Sequence, residues 1–348
     1  MGEIRVAVAG VGNCCSSLVQ GVGYYSHEKG GLGLPHPELG GYGASDIRFV
    51  EAFDIAASKV GKDLSEAIFS PPNLAPRFYD VKRFGVEVRM GPAPDHVEGN
   101  ALGNIIRAEE EEPTDIVEEL KQGRVDVLVN LISGGSDKAS RLYAEACVEA
   151  GCGFLNATPA GVASDDSWDS RFREVGLPLA GDDLLDQVGA TVVHMGLLEF
   201  LNSRGVRIDE SYQLDVGGGT ESIDTLEKTR ETKRNIKTSA VTGSIPYEFP
   251  LVSGSTDFVD FLGNGRDSFF WLKGRYFGGA PFTMDVKLST LDAPNGGSVL
   301  IDAIRALEIA KDRKVGGAVP AICGYAFKRS AKRTSLAEAY RLFREFTV

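Results

Sequence analysis

The segment RVAVAGVGNCCSSLVQG at residues 5–21 limits the possible folds more than any other part of the chain. A short apolar run at residues 4–9 ends in Gly10-x-Gly12, and apolar residues at helical spacing follow. Such a run is typical of a parallel strand that is buried on both faces. A strand, a glycine turn and a helix in this order predict the first unit of a doubly wound α/β sheet.

The same alternation of strands and helices continues to about residue 195. Further strands are predicted at residues 46–55, 125–132, 153–158 and 177–183, and helices at residues 57–69, 113–123 and 136–150. Thr114 is expected to cap the second of these helices, and Gly151 to end the third. The Gly- and Pro-rich residues 28–43 are expected to form an inserted loop that does not pack into the core.

After about residue 196 the pattern changes. The segments VRIDESYQLDVGG and FFWLKGRYFGGAPFTMDVKLSTL alternate polar and apolar residues, which predicts strands of a mixed or antiparallel sheet. The segment SVLIDAIRALEIAKDRKVGG then predicts an amphipathic helix that ends at glycine. A chain of 348 residues is long for one core, so we expect two domains, residues 1–195 and 196–310.

Composition excludes several classes of partner. The net charge of −12 and the pI near 5.0 argue against nonspecific binding to nucleic acid or to anionic membranes. No run of 18 apolar residues is present, and residues 1–10 lack the regions of a signal peptide. The five cysteines show no C-x-x-C spacing and are expected to be reduced thiols of a cytoplasmic protein.

The turn at Gly10-x-Gly12 is a candidate dinucleotide site. After a strand and before a helix, backbone N–H groups and the helix dipole can face a pyrophosphate. The motif alone is weak, because glycine after a buried strand is often only a turn. Cys15 also stands where a third glycine is usual.

Two further features favour NAD. Asp54 ends the second predicted strand, where an acid can bind the ribose hydroxyls. It lies 44 positions after Gly10, and the loop at residues 28–43 accounts for the long spacing; the alternative is a solvated strand end. Ser133, Gly134 and Gly135 follow a strand and precede a helix, so the backbone could approach the ligand there as well.

The sequence resembles the myo-inositol-1-phosphate synthases of the shorter prokaryotic, especially actinobacterial, type. The resemblance is collinear from residue 4 to about residue 330. It is carried by the segments VAVAGVGNCCSSLVQGV, FVEAFDIAASKVGKDLSEAIF, VDVLVNLISGGS, GDDLLDQVGAT, TKRNIKTSAVT and IDAIRALEIAKDRKVGG. That family tolerates a residue other than glycine at the position of Cys15.

The resemblance implies a Rossmann domain, a domain for catalysis and tetramer assembly, and a C-terminal segment, residues 311–348, that packs back on the first domain. It also implies a cytoplasmic homotetramer that uses NAD and a hexose phosphate. Asn13 and Cys14 complete the family's first turn and are expected to contact the cofactor. Asp183 and Asp292 match acids near the nicotinamide.

The family's reaction, as the resemblance implies it, is redox-neutral. Hydride leaves C5 of a hexose 6-phosphate, C6 is deprotonated, the enolate closes a ring, and the hydride returns. Negative charge develops beside a phosphate, and preorganised cations stabilise it. Lys233 and Lys237, on a helix predicted over residues 222–238, match lysines that border the sugar phosphate. Lys328 matches one beside the reacting carbons. Without the resemblance, a lysine pair four apart indicates only an exposed helix face.

The chain departs from the family pattern at positions around the sugar. Leu185 and Asp186 replace a lysine and a small polar residue, and Arg266 stands for a lysine. Asp215, Gly219 and Glu221 alter an Asn-rich stretch, where Gly219 is expected to add space. The family's Leu-Pro-x-Gly-Ser reads ISGGS. Because a lost cation leaves its polar partners unpaired, these changes predict an altered substrate.

The substrate and the reaction class remain open at this point. Fructose 6-phosphate shares C5 and C6 with glucose 6-phosphate but carries its carbonyl at C2, so the same steps would close a five-membered ring. Both sugars are candidates. A net NAD-dependent polyol dehydrogenase and a non-catalytic NAD-binding homologue are the alternatives. The histidines, at positions 27, 36, 96 and 194, form no ligand set, and the sequence does not decide whether a metal is used.

Overall fold

The computed structural model describes residues 2–27, 31–95, 108–109, 112–330 and 334–348. Its strands are β1 (Ile4–Ala9), β2 (Glu38–Leu39), β3 (Tyr42–Gly43), β4 (Ile47–Asp54), β5 (Val88–Met90), β6 (Val127–Asn130), β7 (Gly153–Asn156), β8 (Pro178–Gly181), β9 (Arg207–Gly217), β10 (Leu251–Phe258), β11 (Gly265–Arg275), β12 (Pro281–Leu291) and β13 (Gly317–Ala318). Its α-helices are α1 (Asn13–His27), α2 (Leu64–Ala67), α3 (Ile116–Gln122), α4 (Asp137–Ala150), α5 (Asp166–Glu174), α6 (Ala190–Ser203), α7 (Thr220–Asp224), α8 (Arg230–Thr242), α9 (Asp292–Asp312), α10 (Pro320–Ala326) and α11 (Leu336–Thr347). A π-helix, Thr225–Thr229, joins α7 to α8.

The larger sheet confirms the predicted doubly wound arrangement. Its strand order is β13-β8-β7-β6-β1-β4-β5, and every neighbouring pair is parallel. The chain leaves β1 towards β4 on one side and later returns to β6 on the other. In such sheets, ligands bind at the carboxyl ends of the strands where the order reverses. That point lies at the end of β1, next to Gly10.

The smaller sheet is mixed, as the alternating pattern predicts. Its order is β10-β9-β11-β12, with β10 parallel to β9 and the other pairs antiparallel. Helices α6 and α8 pack on its inner face, and residues such as Leu198, Val241 and Phe270 form the core between them. The boundaries between domains at residues 195 and 310 stay predictions.

The two helices α1 and α9 run side by side in the same direction. A Cβ built at Gly296 would lie 2.8 Å from the Cys14 sulfur, one at Gly297 would lie 3.6 Å from the Ser17 carbonyl oxygen, and one at Gly21 would lie 3.6 Å from Ile301 Cδ1. Contacts advance along both helices together, so both N-termini lie at one end of the pair. The small residues permit this close packing.

Three local predictions are wrong. The helix predicted over residues 57–69 is reduced to α2, because the backbone before α2 pairs with β5 instead. The Gly61 N–H donates to the Val88 carbonyl oxygen, and the Val88 N–H donates to the Lys62 carbonyl oxygen. Residues 298–312 belong to α9, which is buried on almost all sides rather than amphipathic, and the helix ends at Asp312 rather than at Gly316 and Gly317. Asp115, not Thr114, caps α3, since its carboxylate accepts from the Glu118 N–H.

The loop before β4 is the fourth correction. Its described residues, 31–43, do pack into the core, where Leu34, Leu39 and Tyr42 are each at most 5% exposed. The buried Arg305 guanidinium donates to the carbonyl oxygens of residues 36, 37 and 42. A single side chain from α9 therefore satisfies backbone groups that would otherwise be buried without partners. Residues 28–30 lie outside the described residues.

Among the described helices, none is long and apolar enough to span a bilayer.

Candidate functional site

The glycine turn after β1 has one crowded and one open position. Gly10 has a φ of +88°, and a Cβ there would lie 2.7 Å from backbone atoms of Leu131 and Ile132. Gly12 differs, since no described heavy atom lies within 4 Å of its Cβ position. The space in front of the first turn of α1 is therefore open, as a pyrophosphate requires.

Asp54 and Asn13 hold this turn in place. The Asp54 carboxylate accepts from the Val11 N–H at 2.6 Å and from Ile55 and Ala56 at 2.8 and 2.9 Å. Asn13 Oδ1 accepts from the backbone N–H groups of residues 74 and 75. These hydrogen bonds connect both side chains to the backbone of the turn and of the neighbouring loop. Ribose binding by Asp54 stays a prediction.

The second glycine turn approaches a protein segment. Gly135 has a φ of +73°. A Cβ at Gly134 would lie 2.8 Å from Asp224 Oδ2, and one at Gly135 would lie 3.0 Å from Lys228 Cβ. The two glycines thus allow the end of α7 and the π-helix to lie directly over the turn, while Ser133 is exposed. Their contact with a cofactor stays a prediction.

Three cations of the predicted site are each paired with an acid. Side-chain nitrogens of these cations lie at the following distances from carboxylate oxygens: Lys237 to Asp215 at 2.6 Å, Arg266 to Asp292 at 2.9 Å and Lys328 to Asp183 at 3.3 Å. Lys237 is only 5% exposed. Lys233, one turn earlier on α8, is partly exposed. The structure therefore brings together residues that are up to 145 positions apart.

The cluster sets the ionisation of its members. Burial lowers the pKa of Lys237, and the Asp215 charge opposes this. Burial would raise the pKa of Asp183, but the charges of Lys328, Lys233 and Lys237 hold that pKa below its usual value. A lysine of lowered pKa close to an acid of lowered pKa is typical of sites that move protons at neutral pH.

Two further acids near the cations have raised pKa values. Burial raises the pKa of Asp292 to about 6 against the effect of Arg266, and Glu221 raises it further. Burial also raises the pKa of Asp224 to about 6, opposed by Lys233 and Lys228. Part of the negative charge in the pocket is thus removed by protonation when the pH falls below about 6.

The cofactor turn borders this cluster. Cys14, the second residue of α1, is partly buried, and burial, followed by the charge of Asp186 and those of nearby groups, raises its pKa. Asp292 and Glu221 are among those groups. Cys14 therefore lies next to the turn in the sequence and close in space to acids that pair with the cations.

The departures from the family pattern lie against the cations. Asp186 Oδ2 lies 3.9 Å from the Lys328 nitrogen, and Glu221 Oε1 lies 3.4 Å from Arg266. Leu185 is buried and lines a cavity of about 390 Å³ beside Lys328. The expected extra space at Gly219 is absent, because a Cβ there would lie 2.2 Å from the Glu221 carboxylate. The glycine makes room for that side chain.

Several members of the site lay beyond sequence reasoning. Gln213 and His194 form a buried polar chain behind Asp215, at 0% exposure. The signal that the sequence offers is the alternation of side chains along β9. Ser211, Gln213 and Asp215 share one face of the strand, and Tyr212 and Leu214 lie on the other. Polar residues on the inward face of a strand indicate a hydrogen-bonded network. In the part of the chain that the structure describes, which excludes His96, no three His, Cys, Asp or Glu side chains are placed to hold a metal ion.

Comparison with known proteins gives consistent matches. The myo-inositol-1-phosphate synthase family model matches residues 189–293. An inositol-3-phosphate synthase of Mycolicibacterium smegmatis is 41% identical over 343 residues, which cover 95% of this chain and 94% of that protein. The crystal structure of Ari2 is 31% identical with a TM-score of 0.79 and 99% coverage of both chains.

A fourth match concerns the fold alone. The crystal structure of a myo-inositol-1-phosphate synthase-related protein from Thermotoga maritima has a TM-score of 0.81 at 24% identity, with 99% of this chain and 98% of that chain covered. The two sheets of the structure and the collinear sequence motifs agree with relatives that match nearly the whole chain. The chain therefore belongs to the myo-inositol-1-phosphate synthase family and is an enzyme of that family.

Proposed function

We propose that the enzyme is an NAD-dependent, redox-neutral cyclase that converts a hexose 6-phosphate into a cyclitol phosphate. The observation that carries this proposal is the cluster of Lys237, Lys328 and Arg266, largely buried and paired with acids, beside the open turn at Gly12. A simple binding protein has no need to bury three cations next to a cofactor turn. Burying an ion pair costs desolvation free energy that the pairing repays only with good geometry, so three such pairs in one place favour a functional site.

The turn fits NAD on two grounds. The space at Gly12 is open, and the N-terminus of α1 lies behind it. Gly10, Asn13 and Asp54 fix the backbone that would hold the pyrophosphate. When bound, NAD⁺ would supply the means to take a hydride from C5 of the sugar and to give it back at the end.

The side chains would perform the remaining steps. Lys237, whose pKa burial lowers, can take the proton from C6 once C5 is a ketone. Lys328 and Arg266 would stabilise the negative oxygens that form at the enolate and at the attacked carbonyl, since preorganised charges act strongly in a site shielded from water. The proton taken from C6 would pass to the attacked carbonyl oxygen as the carbon–carbon bond forms. The proton lost by the C5 hydroxyl on oxidation would return to that oxygen with the hydride, so the product is an isomer of the substrate.

We propose fructose 6-phosphate as the substrate, with a five-membered ring as the product. Asp215, Asp186 and Glu221 all lie against cations that would otherwise face the sugar phosphate. Leu185 makes the neighbouring wall apolar. The polar groups around the sugar are thus rearranged while the cofactor turn keeps its form, which supports the same chemistry on a different hexose phosphate. The M. smegmatis relative is named for an inositol phosphate, which has a six-membered ring, and this supports glucose 6-phosphate as the second candidate.

Incubating the pure protein with NAD⁺ and each sugar separates these functions. Product mass, carbon NMR and NADH absorbance are the readouts. An isomer of fructose 6-phosphate with a five-membered carbon ring and no net NADH supports the full proposal. An inositol phosphate from glucose 6-phosphate alone contradicts the ring size and retains the cyclase. Steady NADH formation indicates a dehydrogenase, and NAD binding without turnover indicates a non-catalytic homologue.

We propose further that the enzyme is a homotetramer in which the outer face of the smaller sheet packs against another copy. Tyr212, Leu214, Val252 and Phe269 point outward from adjacent strands and are each about 40% exposed. A contiguous apolar face of this kind marks an interaction site. Sedimentation of the wild type and of Phe269→Glu tests this. A tetramer that dissociates in the variant supports the proposal, and a monomeric wild type contradicts it.

The cytoplasmic location is part of the same proposal. All five cysteines are free thiols, which is the usual state in a reducing compartment. Fractionation of the producing cells tests it. Recovery in the cell envelope or the medium would contradict it.

A further inference from the structure

A chain of buried polar groups runs behind Lys237. Lys237 Nζ lies 2.6 Å from Asp215 Oδ2, and Gln213 Nε2 donates to both Asp215 oxygens at 3.0 and 2.9 Å. His194 Nδ1 lies 3.2 Å from Gln213 Oε1. The other ring nitrogen lies 2.9 Å from the Ser211 hydroxyl. All of these side chains are at most 5% exposed.

The hydrogen bonds fix the orientation of each group. Because Gln213 directs its NH₂ group at Asp215, its carbonyl oxygen must face His194. An oxygen acceptor requires a proton on the nitrogen opposite, so His194 carries its proton on Nδ1. Burial lowers the pKa of His194 to about 4, which keeps the ring neutral at neutral pH. The Nδ1 proton of His194 therefore stabilises the orientation of the Gln213 amide that Asp215 requires.

This arrangement is unusual for the core in which it lies. The helix α6 and the strands β9 and β11 otherwise contribute apolar side chains, among them Leu198, Ile208, Phe270 and Leu272. Polar groups in such a core cost free energy unless each is hydrogen-bonded. The chain starts at Ser211, whose hydroxyl oxygen lies 2.9 Å from His194 Nε2 and 2.7 Å from the Trp271 carbonyl oxygen and gives its one proton to Nε2, and it leads to the lysine of the site.

We propose that His194 and Gln213 are positioning residues, which hold the Asp215 carboxylate in the orientation that places the Lys237 side-chain nitrogen at the reacting sugar. The catalytic importance of Lys237 rests on the proposed function. The hydrogen bonds that link His194 and Gln213 to Asp215 and Lys237 are independent of that function. Neither His194 nor Gln213 touches the substrate region directly, so both act through Asp215.

The charged groups around Lys237 set what a pH profile will show. Asp215 faces it from β9, Arg266 from β11, Lys328 from the segment after α10 and Asp183 from the end of β8. Burial raises the pKa of Asp215, but Lys237, Arg266 and the Gln213 hydrogen bonds hold it below its usual value. Removing the Gln213 donors therefore raises the pKa of Asp215.

The test compares Gln213→Leu, His194→Leu and His194→Asn with the wild type. We expect Gln213→Leu to lower kcat by about tenfold or more, as loss of groups that orient functional ligands does, with little change in KM. The acidic limb of its pH profile should move to higher pH. His194→Leu should have the same effect to a smaller extent. His194→Asn, which retains a donor near the position of Nδ1, should restore kcat and the pH profile.

Leu198→Ala is the matched control, since Leu198 is buried one turn further along α6 and touches none of these polar groups' hydrogen bonds. It should lower the thermal midpoint and leave the pH profile unchanged. A purely structural role for His194 predicts that His194→Leu behaves like Leu198→Ala and that His194→Asn rescues nothing. That result would overturn the proposal.

A second measurement is independent of turnover. Asp215 has a lowered pKa in the folded protein, so its contribution to stability is present above its unfolded pKa and is lost as the pH falls. In Gln213→Leu this loss should begin at higher pH, which thermal midpoints between neutral and acidic pH will show. If no hexose phosphate reacts with the wild type, the proposed function fails while this shift still tests the network. Parallel stability profiles for Gln213→Leu and the wild type would overturn it.

Discussion

The proposed cofactor turn at residues 10–13 and the proposed sugar pocket around Lys237, Arg266 and Lys328 hold their functional groups in different ways. At the turn, Asp54 and Asn13 accept hydrogen bonds from backbone N–H groups. In the pocket, Lys237 and Arg266 are held by carboxylates. A backbone contact ties a side chain to one loop geometry, whereas a charge pair can be exchanged without moving the main chain. The pocket can therefore change its substrate while the turn stays as it is.

The largest expected effect comes from removing the buried cation. Lys237→Met leaves Asp215 buried and unpaired, so we expect the free energy of unfolding to fall by about 3–5 kcal/mol. Cyclisation should fall by about a thousandfold, which is within the range for loss of a general base, and NAD affinity should be retained. Urea unfolding, product formation and calorimetric titration of NAD⁺ measure the three quantities.

The double variant Lys237→Met with Asp215→Asn is the control for charge. It removes both members of the pair, and most of the stability should return while activity stays lost. If activity returned as well, Lys237 would have no role in the chemistry.

The two glycines of the turn should respond differently to the same substitution. Gly10→Ala places a Cβ 2.7 Å from backbone atoms at a positive φ, and we expect a loss of about 3 kcal/mol of stability or more. Gly12→Ala meets open space and should retain its unfolding midpoint while NAD binding weakens. Equal destabilisation of the two variants would contradict the assignment of the open space to the cofactor.

Restoring the family pattern in the pocket should alter substrate preference by about tenfold, the effect of one or two contacts. Leu185→Lys with Asp186→Ser returns a cation to the wall beside Lys328 and removes an acid. We expect the ratio of kcat/KM for glucose 6-phosphate to that for fructose 6-phosphate to rise, with NAD affinity unchanged. An unchanged ratio would show that these two positions do not determine the sugar.

The smallest effect concerns pH. Because burial raises the pKa of Asp292 to about 6, the folded state keeps a proton between about pH 4 and pH 6 that the unfolded state has released. The contribution of Asp292 to the free energy of unfolding should therefore become more favourable, by about 1–2 kcal/mol, as the pH falls through this window. Urea unfolding of the wild type and Asp292→Asn across this range measures it, and parallel curves would contradict it.

Local pattern was sufficient for much of the larger sheet. β1 matches its predicted bounds, and α4 ends where Gly151 adopts a φ of +84°. Such features depend on residues within a few positions. The loop before β4 was misjudged because the group that stabilises it, Arg305, lies more than 260 positions away.

In the candidate site, too, contacts between residues far apart in the sequence could not be predicted from local pattern. Motif resemblance predicted which cations and acids belong to it, and the structure places Lys237, Arg266 and Lys328 close together. It did not predict the pairing of Lys237 with Asp215, because that contact depends on how α8 lies against β9. Roles in binding and catalysis stay predictions that the experiments above test.

The parallel packing of α1 on α9 has an electrostatic consequence. The peptide dipoles of each helix sum to about half a positive elementary charge at its N-terminus, and here two such termini lie together, with Asp292 as the first residue of one and Asn13 as the first residue of the other. This positive potential belongs to the main chain. No protonation or side-chain exchange removes it, so an anionic ligand would find a constant attraction there while the sugar pocket around it diverges.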